Sequence, residues 1–318
     1  MKQLSSQHKA LISFRERPHK PTITASTYHP NAPYAPTAIV LQGPVLHENN
    51  FTLETLKHYS QVYPDCSLIL STWEDTDTRA IENLNLEKLE IVLSPYPEVP
   101  GPSHINYQIA SSAVGMQRAN ELGVSYVFKT RTDQRMYAPS SVALCHSMLQ
   151  QFPINHTIQK NRLIGISLNT YKYRPYPMSD MFMFGDIDDM SRYWNAPYDL
   201  EPQKEGGSSM LDFSRQRLCE VYLMTCYLES IGFKLEWTLS NSWKAIGSLF
   251  AIVDDSMLDL YWPKYEREFQ EAFSVTYENS TTGEEIQFSD WLLLHTQGAS
   301  IAAPEEVLQL KFREAIHK

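Results

Sequence analysis

Three cations, a carboxylate and an amide crowd into seven residues of this chain, Lys129-Thr130-Arg131-Thr132-Asp133-Gln134-Arg135. They close an apolar stretch that begins at Val124. In a chain of formal net charge -10, such a local basic knot points to an anion. A diphosphate is the natural candidate, because guanidinium groups fork onto phosphate oxygens. Arg131 or Arg135 would stabilise a departing nucleoside diphosphate as its charge grows. Lys129 would add to the grip on the donor, and Asp133 would hold a divalent ion, Mg2+ or Mn2+, that bridges the phosphates. The same residues also read as a structural ion-pair cluster on a loop, and that alternative stays open.

Other candidates close other apolar runs. Gln42-Gly43-Pro44 follows Ala38-Ile39-Val40-Leu41. Gly43 would let the backbone approach a ligand closely, and Gln42 can bond a base edge or a ribose. An ordinary turn at the end of a strand fits as well. Glu74 and Asp75 follow Leu70-Ser71-Thr72-Trp73. A carboxylate there would accept ribose hydroxyls, or it would simply favour a helix entry. Asn106 and Gln108 open a long helical pattern and would reach the donor or cap the helix. Two acids compete as the base that deprotonates an acceptor hydroxyl: Asp180, beside Met181-Phe182-Met183-Phe184, and Glu220, beside Val221, Tyr222 and Leu223. The six tryptophans are widely spread, as core or as sugar-stacking faces.

The pattern around these residues is α/β. Strands are expected at 38–41, 67–72, 89–93, 124–130 and 163–168, and at 180–184 with Gly185 as a stop. Helices are expected at 51–62, 105–122, 187–194 and 215–231. Strand, helix, strand, strand, helix, strand within about a hundred residues is a nucleotide-binding order, and it puts ligands at the carboxyl ends of the strands. Residues 200–212 read as a Pro/Gly/Ser-rich loop. Residues 1–36, with prolines at 18, 21, 30, 33 and 36, read as a polar extension to a single domain over 37–318.

Composition removes several classes. At 318 residues, 42% hydrophobic and 20% charged, the chain is an ordinary globular one. An acidic surface, with a pI near 5.5, argues against nucleic acid as a partner. Cys66, Cys145, Cys219 and Cys226 form no CxxC pair and read as free thiols in a reducing compartment. No HExxH, GxGxxG or GxxxxGK[ST] occurs, so zinc hydrolase, dinucleotide-binding and P-loop readings find no support. The absence of a signal peptide or a long apolar run leads to the expectation of a cytoplasmic protein, resting at most against the inner face of the membrane.

The words Ala38-Ile39-Val40-Leu41-Gln42-Gly43-Pro44, Phe51-Thr52-Leu53-Glu54-Thr55-Leu56, Leu70-Ser71-Thr72-Trp73-Glu74 and Tyr126 to Arg135 resemble the WavE-type lipopolysaccharide synthesis family. Asp180 to Gly185 and Tyr261-Trp262-Pro263-Lys264-Tyr265 fit the same resemblance. It implies a GT-A-like fold with a mostly parallel sheet. It implies sugar transfer from a nucleotide-sugar donor to a lipopolysaccharide core or other lipid-linked glycan acceptor. GT-A transferases carry Asp-x-Asp where this chain has Arg131-Thr132-Asp133. Either Asp133 binds the metal with water and phosphate oxygens, or Arg131 replaces the metal's charge. The lost acid also opens a second reading, a non-catalytic nucleotide-sugar- or glycan-binding assembly protein of the same fold.

Overall fold

β1 (Thr37–Gln42) is buried along its whole length. Only a strand covered on both faces can be apolar at successive positions, as Ala38 to Leu41 are. The computed structural model describes residues 34–202, 209–216, 218–263, 284–298 and 301–310. In it β1 lies between β2 (Ser67–Trp73) and β4 (Tyr126–Arg131), parallel to both, and β3 (Leu89–Ser94) extends the sheet beyond β2. On the far side β7 (Met183–Asp186) runs antiparallel to β4, and β6 (Leu163–Ile166) and β8 (Phe250–Val253) complete seven strands in the order β3-β2-β1-β4-β7-β6-β8. The sheet is therefore mostly parallel, with one reversed strand.

Helices cover both faces. α1 (Phe51–Val62) lies on one side, where Tyr59 accepts a hydrogen bond from the Met136 amide at 2.9 Å. α3 (Ile105–Glu121) lies on the other, and between them in sequence comes the short α2 (Arg79–Glu82). α3 sits so close to the sheet that a Cβ on Gly115 would meet Val40 Cγ1 at 2.4 Å. α5 (Ile187–Trp194) packs beside α3 and α7 (Cys219–Ser230) beside α5, and α6 (Met210–Arg215) precedes α7. α4 (Ser141–Gln151), α8 (Leu239–Leu249), α9 (Asp255–Leu258) and α10 (Phe288–Gln297) fill the rest. A small second sheet pairs β5 (Arg135–Met136) with β9 (Leu260–Tyr261).

Three expectations need correction. The strand expected at 180–184 starts at Met183, so Asp180 lies in the loop before it, and Gly185 sits inside the strand. There a Cβ would meet Leu163 Cδ2 at 2.6 Å, so this glycine serves close packing rather than a stop. The helix expected over 215–231 starts at Cys219, after an extended Leu218, and Arg215 instead ends the preceding α6. Within the loop expected over 200–212, Ser209 caps α6 through the Asp212 amide. Residues 1–33 of the expected extension, and Lys264 and Tyr265, lie outside the described residues.

Candidate active site

Successive residues of β4 face opposite sides of the sheet, and this divides the basic knot. Thr130 faces α1, where it meets the Tyr59 hydroxyl. Lys129 faces α3 and α5. Its Nζ donates to the backbone carbonyl of Asp180 and to Gln108 Oε1 at 3.5 Å, and lies 4.0 Å from the centre of the Trp194 ring. Lys129 is fully buried. Burial pushes its pKa down to about 7, with Asp180 pulling the other way. Gln108 in turn donates to the Asp180 carboxylate. Lys129 thus forms the floor beneath Asp180 and is not a surface cation reaching for the donor.

Arg131 forks onto Asp133, with Nε to Oδ1 at 2.9 Å and Nη2 to Oδ2 at 3.0 Å. Trp262, carried in by the β5–β9 pairing, donates its indole N–H to the same Oδ2 at 3.0 Å. Burial alone would raise the Asp133 carboxyl. The Arg131 fork and the indole bond outweigh it and hold the carboxyl below the usual value. Both carboxylate oxygens are engaged and a guanidinium lies against them. Among the described residues no three His, Cys, Asp or Glu side chains gather at metal-holding distance. The donor set around Asp133 therefore does not fit a protein-held Mg2+ or Mn2+.

Arg135 leaves the site altogether. It is 2% exposed and donates to Thr55 Oγ1 (2.9 Å), the Phe51 carbonyl (2.9 Å) and the Tyr137 hydroxyl (3.0 Å). The turn after Asp133 and the pairing with β9 carry it beneath α1, where it stacks on Phe51. Asn106 is likewise a strut. Its amide donates to the Val99 and Asp199 carbonyls at 2.9 Å each, and its Oδ1 accepts from the Asp199 amide at 2.7 Å. Gln42, buried at the end of β1, accepts from Ser111 at 2.7 Å. Gly43 has φ +112°, a value that a side chain would strain, and a Cβ there would meet Thr132 Oγ1 at 3.3 Å. Glu74 is exposed at the end of β2. Beside it Trp73 and Tyr96 stack with ring centres 4.3 Å apart, Tyr107 meets both edge-on, and Tyr96 is 46% exposed.

The two rival bases turn out to be neighbours. Asp180, 6% exposed, lies where β7 begins, at the carboxyl edge of β4. Glu220 occupies the first turn of α7. Burial first, and then the negative charge of Asp180, push the Glu220 carboxyl up to about 7, against the pull of Arg174. Arg174 had no mark in the sequence, since it belongs to the irregular loop after β6. That loop is pinned by backbone bonds from Ile286 to Thr170 and from Lys172 to Glu284, both 2.7 Å. Two acids, Lys129, Arg174 and the Arg131–Asp133 pair thus share the face of the sheet covered by α3, α5 and α7. This is where an acceptor hydroxyl could lose a proton beside a group that leaves with negative charge.

A cavity of about 450 Å3 opens elsewhere, at the amino ends of β6 and β8. Arg162 in its wall donates to the Phe152, Gly247 and Phe250 carbonyls. The residue thereby caps the ends of α4 and α8, and none of the residues lining that cavity belongs to the acidic site.

A seven-stranded, mostly parallel sheet with one reversed strand and helices on both faces, and with acids gathered past the end of β4, makes this a mixed α/β protein. The chain belongs to the WavE lipopolysaccharide synthesis family, whose sequence model matches residues 37–217, more than half of its length. Among solved structures it is similar to a mannose-1-phosphate geranyltransferase from Thermus thermophilus, with 12% identity and a TM-score of 0.28. That match covers 42% of this chain and 44% of the other, so the chain spans less than half the length of that relative. It is also similar to a Bacillus anthracis protein described as a glucose-1-phosphate thymidylyltransferase, solved with sucrose, with 10% identity and a TM-score of 0.40 over 76% of this chain and 95% of that one. Among curated proteins no relative matches. No helix among the described residues is long and apolar enough to cross a membrane.

Proposed function

We propose that this protein is a glycosyltransferase that moves a sugar from a nucleotide-sugar donor to a hydroxyl of a lipopolysaccharide core or related lipid-linked glycan. The observation that carries the reading is the pairing of Asp180 with Glu220, whose carboxyl is held up to about 7, past the end of β4. One acid deprotonates the acceptor while the other sets its charge. The nucleotide lies along the carboxyl ends of β1, β2 and β3. There Gln42 and Gly43 receive it, Tyr96 on Trp73 offers its base a face, and Glu74 meets its ribose. Arg131 supplies the positive charge that a metal supplies in related enzymes and neutralises the leaving diphosphate, with Asp133 and Trp262 holding its fork in place. Lys129 and Gln108 position Asp180.

In this reading residues 37–318 form one transferase domain behind a polar extension. The protein works in the cytoplasm, at most touching the inner face of the membrane where its acceptor is anchored. The Arg131–Asp133 lock favours a second reading, a binding protein that has kept the fold without turnover. Thermal-shift titration with UDP-, GDP-, ADP- and CMP-sugars, with and without Mn2+, followed by a donor-hydrolysis assay, separates the two. Stabilisation by one donor, slow release of its nucleotide, and loss of release in Asp180→Asn by about 100-fold or more are expected. Stabilisation without release supports the binding protein. No shift with any donor removes both.

A further inference from the structure

The three cations that the sequence set beside a diphosphate are each engaged by this chain. Arg135 lies beneath α1, Lys129 lies under the Asp180 carbonyl, and Arg131 is forked onto Asp133. Arg174 differs from them. The residue is more than nine-tenths buried, at 8% exposure. Its guanidinium lies 4.3 Å from the centre of the Tyr171 ring and 5.2 Å from that of Phe213, so it is held between two aromatic groups. Its Nε has no hydrogen-bond partner among the described residues. Glu220 attracts it across the site, but no ion pair joins the two among the described residues.

A buried N–H without an acceptor is a standing cost, and a buried cation without a bonded counter-ion is a larger one. A planar guanidinium clamped between rings has already lost the freedom that binding would otherwise remove, and its donors match phosphate oxygens in pairs. We propose that Arg174 is a phosphate-binding residue, placed so that a phosphate oxygen accepts from its unpaired Nε on the side of the site that Glu220 faces. The site itself stands on the geometry of this loop. Only the source of the phosphate rests on the sugar-transfer reading: the donor's diphosphate, or a phosphate carried by the glycan acceptor.

Glu220 competes with such an anion. The groups that face Glu220 are Asp180 from the loop before β7, Arg174 and Tyr171 from the loop after β6, Tyr193 from α5, and Cys219 from its own helix. Only Arg174 among them is cationic, so removing the charge of Glu220 releases Arg174 to the ligand.

The test is calorimetric titration of the full chain at pH 8 with inorganic pyrophosphate, UDP, GDP, ADP and glucose 6-phosphate. Wild type is expected to bind at least one of these. Arg174→Gln is expected to weaken that binding about tenfold or more, and Glu220→Gln to strengthen it several-fold. Loss of nucleoside diphosphate binding in both Arg174→Gln and Arg131→Ala assigns the phosphate to the donor. Loss of glucose 6-phosphate binding in Arg174→Gln alone assigns it to the acceptor. Should Arg174→Gln fail to fold, Arg174→Lys and Glu220→Gln decide. Unchanged affinity in either folded Arg174 variant, a Glu220→Gln no tighter than wild type, or a wild type that binds none of the five overturns the proposal. A chain that binds phosphate through Arg174 but never releases a nucleotide would instead overturn sugar transfer and leave this site standing.

Discussion

Lys129→Met should change how stability depends on pH, and the size of the change follows from where the side chain sits. Lys129 is fully buried on β4, and its pKa is lowered from 10.5 to about 7 by burial. Asp180 opposes the shift and Arg131 adds to it. The unfolded chain keeps this proton up to about pH 10.5, while the fold releases it near 7. Between those values the unfolded state binds more protons, so stability rises with pH. The slope approaches about 1.4 kcal/mol per pH unit, which amounts to roughly 3 kcal/mol between pH 6 and pH 9. Methionine fills much the same space without a charge. It also leaves the Asp180 carbonyl and Gln108 Oε1 without this donor, at about 1–3 kcal/mol each, but that loss does not vary with pH. Urea denaturation of both proteins at pH 6, 7, 8 and 9 should therefore show wild type gaining on the variant by that amount as pH rises. Parallel curves, separated by a constant, would mean that Lys129 is not an ammonium held out of water, and the floor described for Asp180 would be wrong.

Glu220→Gln should become the more stable protein as pH rises. A folded carboxyl raised to about 7 contributes stability that is complete below the unfolded value near 4.5 and lost through 7. By pH 8 the variant, which has no such loss, should lead by up to roughly 3 kcal/mol in urea denaturation. Arg135→Met should lower stability by roughly 3 kcal/mol, since it strands the Phe51 carbonyl, yet leave the affinity of the folded protein for any donor unchanged in the thermal-shift titration. Gly115→Val should cost about 1–3 kcal/mol by overpacking α3 against Val40, with no effect on the pH at which activity appears.

The parallel half of the sheet was legible because burial on both faces leaves a mark that short sequence windows can carry. Ala38 to Leu41 and Ser67 to Thr72 are strands for that reason, and the residues that end them line the carboxyl edge as expected. The short helices left a weaker mark. Thr238, whose hydroxyl accepts from the Asn241 amide, and Ser209 before Asp212 were start signals for α8 and α6 that could have been read. What the knot at 129–135 would do was beyond local reading. Alternation sends Lys129 under Asp180, fifty-one residues away in sequence, and pairing with β9 turns Arg135 beneath α1 and brings Trp262 to Asp133. Arg174 stands in a loop with no period, and although Tyr171 is close in sequence, Phe213 and Glu220 reach it only through the fold.

The charges gathered past the end of β4 are largely matched within the chain itself. On the face covered by α3, α5 and α7, the acids Asp133, Asp180 and Glu220 stand against the cations Lys129, Arg131 and Arg174. A divalent ion would add to a set that its own guanidinium groups already balance, and it would have to displace Arg131 from Asp133 to find a ligand. An anion has the easier entry, because Arg174 holds a donor without an acceptor among the described residues. Burial raises the Glu220 carboxyl and lowers the Lys129 ammonium, so the charge of this face depends on pH near neutrality. An arriving phosphate favours the protonated form of both.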